Sequence, residues 1–286
     1  MERFMDKLVE LENISKIYTN KNVLHNISLT INENQAIAIL GGNGTGKSTL
    51  LRIIAGIERP SSGKIHYSNK NIKIGYVPER FPKNIRFTPS EYLRYMGEMS
   101  GTSKDFLTKR IKNLLHRFQL GGLDNHRIME LSKGNIQKVG LIQAIMQKPN
   151  LLILDEPLSG LDFESQEELV KIIGELKRQG TTILITYHES HIFESIVDNT
   201  FLLHNGNISE TESIEKQSIK LLVVRNVDKS FVKEWGEILE LEEKDQQLYL
   251  YVPVKESDVI LSRVLQLNGS IEAVSTVTLN DMERSL

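Results

Sequence analysis

Cysteine is absent from this chain. Its absence excludes disulfides and thiolate metal sites, and it suits a reducing compartment. Long apolar runs are missing too. None approaches the ~18–20 residues that a membrane-spanning helix needs. The start, Met1 to Glu10, mixes charges and has no apolar stretch of the kind a secretory signal carries. A soluble or peripheral protein of the cytoplasm is therefore expected. A dominant charge is also lacking, since the formal net charge is -2 at pH 7. No global basic field draws the chain to nucleic acid or anionic lipid, and no nucleic-acid partner is expected. What remains is ordinary globular composition, 40% hydrophobic and 25% charged. At 286 residues the chain holds one large domain, or one domain and a smaller companion.

The most informative stretch is Ile37 to Leu51, IAILGGNGTGKSTLL. Ile37-Ala38-Ile39-Leu40 is an apolar, β-branched run and reads as a short buried strand. Gly41-Gly42-Asn43-Gly44-Thr45-Gly46-Lys47-Ser48 fits G-x-x-x-x-G-K-[ST], and the segment from Thr49 to Ala55 has helix periodicity. Glycines let successive backbone N–H groups curl inward as an anion nest, and the helix adds the positive end of its dipole. Lys47 is placed to reach β- and γ-phosphates, and the Ser48 hydroxyl to ligate Mg²⁺. The segment Gly41 to Thr49 is thus expected to bind a nucleoside triphosphate.

Two strand-like segments precede it. Leu8 to Tyr18 reads as a strand followed by a polar bend. Val23 to Ile31 places Ile27, Leu29 and Ile31 on one face. With the phosphate loop in place, the chain resembles the ATP-binding subunit of ABC transporters, of the exporter-type branch with a separate permease. The resemblance is strong from Leu8 to Ser209 and weak beyond. It implies a P-loop α/β core with an antiparallel β subdomain and an inserted helical subdomain. It also assigns Tyr18 a role, stacking on adenine.

Further segments extend the likeness. Ile72 to Val77 reads as a strand ended by Pro78. The family follows it with a glutamine that ligates Mg²⁺ and touches the membrane partner, and here Glu79 stands in that place. A carboxylate is a hard oxygen donor but adds negative charge beside the γ-phosphate. Direct ligation, ligation through water and a plain surface acid all stay open. Some exporter subunits resemble this chain in carrying Glu there. Thr88-Pro89-Ser90-Glu91 is a helix start. Ile111, Leu114, Leu115 and Phe118 then form a core-facing stripe. The helical subdomain is expected over about residues 88–148.

Leu131-Ser132-Lys133-Gly134-Asn135 resembles the family signature, with Lys133 and Asn135 as departures. Ser132 offers a hydroxyl and Gly134 an unobstructed N–H, and both are expected to meet nucleotide. Leu151 to Leu154 is an apolar strand that delivers Asp155 and Glu156 at its C-terminal end, where open α/β sheets bind ligands. Asp155 is expected to hold Mg²⁺ and Glu156 to orient or deprotonate the attacking water. Pro157 to Asp162 resembles the family loop that crosses between subunits. A helix over Ser165–Lys177, ended by Gly180, leads to a strand over Thr181–Thr186 and then to His188. The resemblance gives His188 a contact to the γ-phosphate. Asn205-Gly206 reads as a hairpin turn.

The ATP-binding domain is expected over 1–210, and an accessory domain over 217–286 after a polar linker. In that tail, strands are expected at Lys220–Arg225, Glu237–Leu241, Gln247–Val252 and Ile271–Val277. Helices are expected at Asp228–Trp235 and Ser257–Leu267. The order βαββαβ suggests a small ferredoxin-like α+β fold. Regulation or subunit contact and inert stabilisation are both open for it.

The resemblance implies an ATP hydrolase using ATP and Mg²⁺. It implies a second ATP-binding subunit, in a homo- or heterodimer, and a separate transmembrane permease that holds the chain at the inner face of the cell membrane. Export of an antibiotic, peptide or lipid-like substrate is expected. The alternative is a soluble ABC ATPase not coupled to transport.

Overall fold

The computed structural model describes residues 6–19, 21–123, 125–187, 191–193, 195–211, 219–233, 235–244 and 247–277. His188 and the segment Glu212 to Lys216 lie outside the described residues. The chain divides into two compact units, 1–210 and 211–286.

The first unit is built on a six-stranded sheet. Its strands are β3 (Ala36–Leu40), β5 (Ile74–Val77), β6 (Leu151–Asp155), β7 (Thr182–Thr186), β8 (Asn199–His204) and β9 (Asn207–Thr211). The spatial order is β5-β6-β7-β3-β8-β9. From β5 to β8 the ladders are parallel. Every residue of β6 and of β7 is buried. Their runs of leucine and isoleucine suit strands enclosed on both faces. The order places β7 between β3, which leads into the phosphate loop, and β6, which ends in the two acids. Asn205 and Gly206 both take positive φ, 47° and 75°, as a tight β8–β9 hairpin requires.

A second, antiparallel sheet has the order β2-β1-β4, formed by β1 (Lys7–Tyr18), β2 (Lys21–Asn32) and β4 (Ser62–Tyr67). One expectation is corrected here, and one strand is new. The polar bend expected after the first strand is a set of register shifts within a continuous β1. Asn13 at φ 51° absorbs the extra residue. Strand β4 was hidden because its alternation is mostly polar and its residues stay exposed or half-exposed. The ladder to β1, from Val9–Tyr67 to Ser15–Ser62, sets it in place.

Helix α1 (Lys47–Ile54) follows the phosphate loop and buries Leu50, Leu51, Ile53 and Ile54. Each such side chain contributes about 1.5–3 kcal/mol by leaving water. Helices α2 (Pro89–Met99), α3 (Lys104–Arg117) and α4 (Lys133–Ile145) form the inserted helical region. Thr88 caps α2 in a full capping box with Glu91. Helix α4 is buried almost all round. Cβ atoms at Gly75 of β5 and at Gly140 would overlap the Ala144 carbonyl and the Phe81 ring respectively, so close approach is built on glycine. Helix α5 (Phe163–Arg178) completes the unit, stopped by Gly180 at φ 93°.

The second unit contains β10 (Ile219–Arg225), α6 (Lys229–Val232), β11 (Glu240–Lys244), β12 (Gln247–Pro253), α7 (Ser257–Gln266) and β13 (Ser270–Val277). The sheet order β11-β12-β10-β13 is antiparallel throughout, as in a ferredoxin-like βαββαβ unit. Its core joins Leu222, Val224, Leu248, Leu250 and Val252 of the sheet to Ile260 and Val264 of α7. Two elements differ from expectation by more than one residue. α6 is a single turn, and β11 begins three residues late. The edge strand Glu240-Leu241-Glu242-Glu243-Lys244 is charged at four of five positions, so composition conceals its bounds.

Candidate active site

The loop between β3 and α1 has the backbone that its glycines permit. Gly41, Gly44 and Gly46 have φ of 148°, 77° and 106°. A Cβ at Gly41 would overlap the Leu203 carbonyl of β8. α1 starts on Gly46 with no side-chain cap and no acid in its first turn. Its first N–H groups therefore face the loop with the positive end of the helix dipole. Thr45 Oγ1 donates to the Gly42 carbonyl at 3.0 Å. Lys47 is 5% exposed, and its ammonium donates to the Gly41 and Gly42 carbonyls at 2.7 and 3.0 Å. Thr49 is buried, and its hydroxyl accepts from Arg52 at 3.3 Å.

The acids arrive from β6. Asp155 is 2% exposed, and its Oδ1 accepts from the Thr186 hydroxyl at 2.9 Å. Burial pushes the phenol of Tyr76, on neighbouring β5, up to about 12, and the negative field of Asp155 adds to the rise. Glu156 has a left-handed backbone, φ 47°, a conformation that costs roughly 1–2 kcal/mol in a residue with a Cβ. Its N–H donates to Thr186 Oγ1 at 3.0 Å, and its Oε1 lies 3.9 Å from Lys47 Nζ. Lys47 and Glu156, 109 positions apart in sequence, thus meet across the end of one sheet.

These residues fit a hydrated Mg²⁺. Asp155 and Ser48 offer hard oxygens, and one Asp155 oxygen is already fixed by Thr186. Among the described residues no group of three or more His, Cys, Asp or Glu could hold a metal by itself. Glu79 lies on the loop after β5, 43% exposed, with the Arg80 guanidinium 3.5 Å away.

Ser132 and Gly134 sit at the start of α4. Ser132 caps the helix by accepting from Asn135 N–H at 3.3 Å, so both of its described hydrogen bonds, to Asn135 and Ile136, stay within α4. A Cβ at Gly134 would overlap the Gly160 carbonyl. The buried Lys138 reaches Asp162 Oδ2 at 2.9 Å, while Oδ1 of the same acid caps α5 through Ser165. Hydrogen bonds from Lys138 and Ser165 hold the Asp162 carboxyl far below the usual carboxylate range. The start of α4 and the loop before α5 are therefore one packed piece. Gly134→Ala is expected to cost about 1–3 kcal/mol through overpacking. Thermal unfolding reads this directly, and an unshifted midpoint would show that the close contact is absent.

Sequence reasoning missed Gln137. Its amide donates to the Pro78 carbonyl at 3.1 Å and accepts from Phe81 N–H at 3.3 Å. It ties the Glu79 loop to α4. The signal available was a polar residue on a helix face that is otherwise apolar.

Tyr18 is 39% exposed, with the Lys16 ammonium 4.9 Å from its ring centroid. Its hydroxyl donates to Glu58, which also pairs with Lys16 at 2.9 Å and Arg52 at 3.1 Å. Burial would raise the Glu58 carboxyl, but bonds from Tyr18, Lys16 and Arg52 outweigh it and pull the group down to about 2. The ionised acid therefore stabilises the fold above the ordinary carboxylate range, and that contribution disappears as pH falls to about 2. In Glu58→Gln the loss of thermal stability is expected to be full at neutral pH and to shrink to nothing near pH 2. A loss independent of pH would sink this assignment.

An ABC transporter family model matches residues 24–159. An uncharacterized ABC transporter ATP-binding protein of Methanocaldococcus jannaschii, MJ1023, is 34% identical over 90% of this chain and 94% of its own length. The zinc import ATP-binding protein ZnuC of Buchnera aphidicola is 33% identical over 80% of this chain and 94% of its own. A solved ATP-binding subunit of an ABC transporter shares 30% identity and superposes with a TM-score of 0.67, over 71% of this chain and 89% of that one. With the P-loop fold, the glycine loop and the acids of β6 in the arrangement described, the chain belongs to the ATP-binding proteins of the ABC transporters and is an ATPase of that family.

Proposed function

We propose that this chain binds ATP with Mg²⁺ through Gly41–Thr49 and Asp155, hydrolyses it with Glu156, and so drives a separate transmembrane permease. The approach of Glu156 to Lys47 at 3.9 Å carries the reading, because it brings a carboxylate to the residue suited to the terminal phosphates. When bound, Mg²⁺ neutralises phosphate charge, and Ser48 and Asp155 are the residues that would hold it. Lys47 holds the phosphates, and Glu156 orients the water and takes its proton. Tyr18 stacks on the base, and His188 joins the γ-phosphate.

Ser132 and Gly134 serve a second copy or a sister subunit. Two nucleotides join two chains head to tail, and hydrolysis releases them. Among the described residues no helix is long and apolar enough to cross a membrane, in keeping with attachment through a permease at the inner face of the membrane. The purified chain should hydrolyse ATP only with a divalent cation. Cation-independent turnover would refute the metal role of Asp155 and Ser48.

Export of an antibiotic, peptide or lipid-like substrate is the finer reading. Glu79 and the C-terminal unit support it, both by resemblance to exporter subunits. Import is the second reading, favoured by the likeness to ZnuC. Purification from membranes with the bound permease, followed by ATP-driven uptake into inside-out vesicles, separates the two. Uptake supports export, and ATP-dependent loss of preloaded substrate supports import.

A further inference from the structure

One hydroxyl connects the two acids of β6. Thr186 ends β7 and stands opposite Asp155 in the parallel β6–β7 ladder. It is 0% exposed. Its Oγ1 gives its single proton to Asp155 Oδ1 at 2.9 Å and accepts the Glu156 N–H at 3.0 Å. The β-branch limits the side chain to few rotamers, so both bonds have set directions. The first fixes the rotation of a buried carboxylate and so the aim of its other oxygen. The second ties down the backbone of a residue in the left-handed region, φ 47°. From that turn the Glu156 side chain places its Oε1 3.9 Å from Lys47 Nζ.

We propose that Thr186 is a positioning residue for ATP hydrolysis, whose one hydroxyl sets both the carboxylate of Asp155 and the backbone turn that aims Glu156. The inference rests on the reading of Asp155 as the metal-holding acid and Glu156 as the water-orienting acid. It adds a fully buried group that acts through those two. Valine at this position keeps the shape and removes both bonds. Serine keeps both bonds and removes a methyl group.

The full chain is compared as wild type, T186V, T186S and E156Q. Three quantities are read: kcat and KM for MgATP, ATP affinity in EDTA, and Mn²⁺ affinity of the ADP-loaded protein by electron paramagnetic resonance. T186V is expected to lose about 10–100-fold in kcat, the scale of one hydrogen bond to a charged group. Its Mn²⁺ affinity should fall about 3–10-fold, while ATP affinity in EDTA stays within about twofold. T186S should recover to within about threefold of wild type in all three.

If T186V turns over like wild type while E156Q is inactive, the inference is wrong and the site assignment stands. If E156Q turns over normally, the assignment itself is wrong. If T186V and T186S are equally slow with Mn²⁺ affinity unchanged, Thr186 only packs, and the proposal is overturned. Should T186V fail to fold, T186A removes the same bonds without added bulk and is read against T186S in the same way.

Discussion

Glu156→Gln is expected to lower ATP turnover by at least about 100-fold, the low end of what a positioned general base contributes. Glutamine keeps the size of the side chain and its reach toward Lys47. It cannot take a proton from water. The backbone at Glu156 is held by Thr186 through the main-chain N–H, a bond that the substitution leaves intact. Nucleotide affinity should therefore survive while hydrolysis stops. In the proposed head-to-tail pair, ATP that is bound and not consumed leaves no route to open. Size-exclusion chromatography in MgATP should show the variant as a stable dimer where the wild type returns to monomer. Turnover at the wild-type rate would remove Glu156 from the role of base. Slow turnover without dimer accumulation would instead separate hydrolysis from the proposed opening of the pair.

Lys47→Ala is the second large effect, expected to weaken MgATP binding by at least about 30-fold. Lys47 is 5% exposed and its ammonium sits on the Gly41 and Gly42 carbonyls, so the loop is shaped around it. Two things are lost together. One is a charge-assisted contact to phosphate, worth about 1.5–3 kcal/mol. The other is the pair of bonds that closes the loop onto its own lysine. Lys47→Arg distinguishes them, since it keeps the charge but brings a planar, wider group into a buried slot. Calorimetric titration with MgATP measures both variants. Binding of wild-type strength in Lys47→Ala would take the phosphates away from this loop.

Much of the candidate site's placement was legible in sequence because its parts are local. Lys47 follows its glycines within one loop, and an apolar strand delivers Asp155 and Glu156 side by side. Thr88 with Glu91 and the Asn205-Gly206 turn were legible for the same reason, since caps and tight turns are set by neighbours a few residues apart. Strand β4 was not legible. Its polar alternation acquires meaning only from the ladder that β1 offers it. The burial of α4 on most sides was equally hidden, because its neighbours come from β5 and from the loops around Phe81 and Gly160.

By itself, the sequence determined the glycine-rich loop before α1, the apolar strand that carries Asp155 and Glu156, and the local caps and turns. Those follow from backbone freedom, periodicity and side-chain type, all of which act over short range. Only the tertiary structure decided that β7 lies between the phosphate loop and the acids, and that Thr186 there serves both Asp155 and Glu156. It alone joined Lys138 to Asp162 and Gln137 to Pro78. The physical reason is that strand order and helix docking are chosen by burial of whole faces. Which distant side chains then meet is a consequence of that packing, which no local pattern encodes.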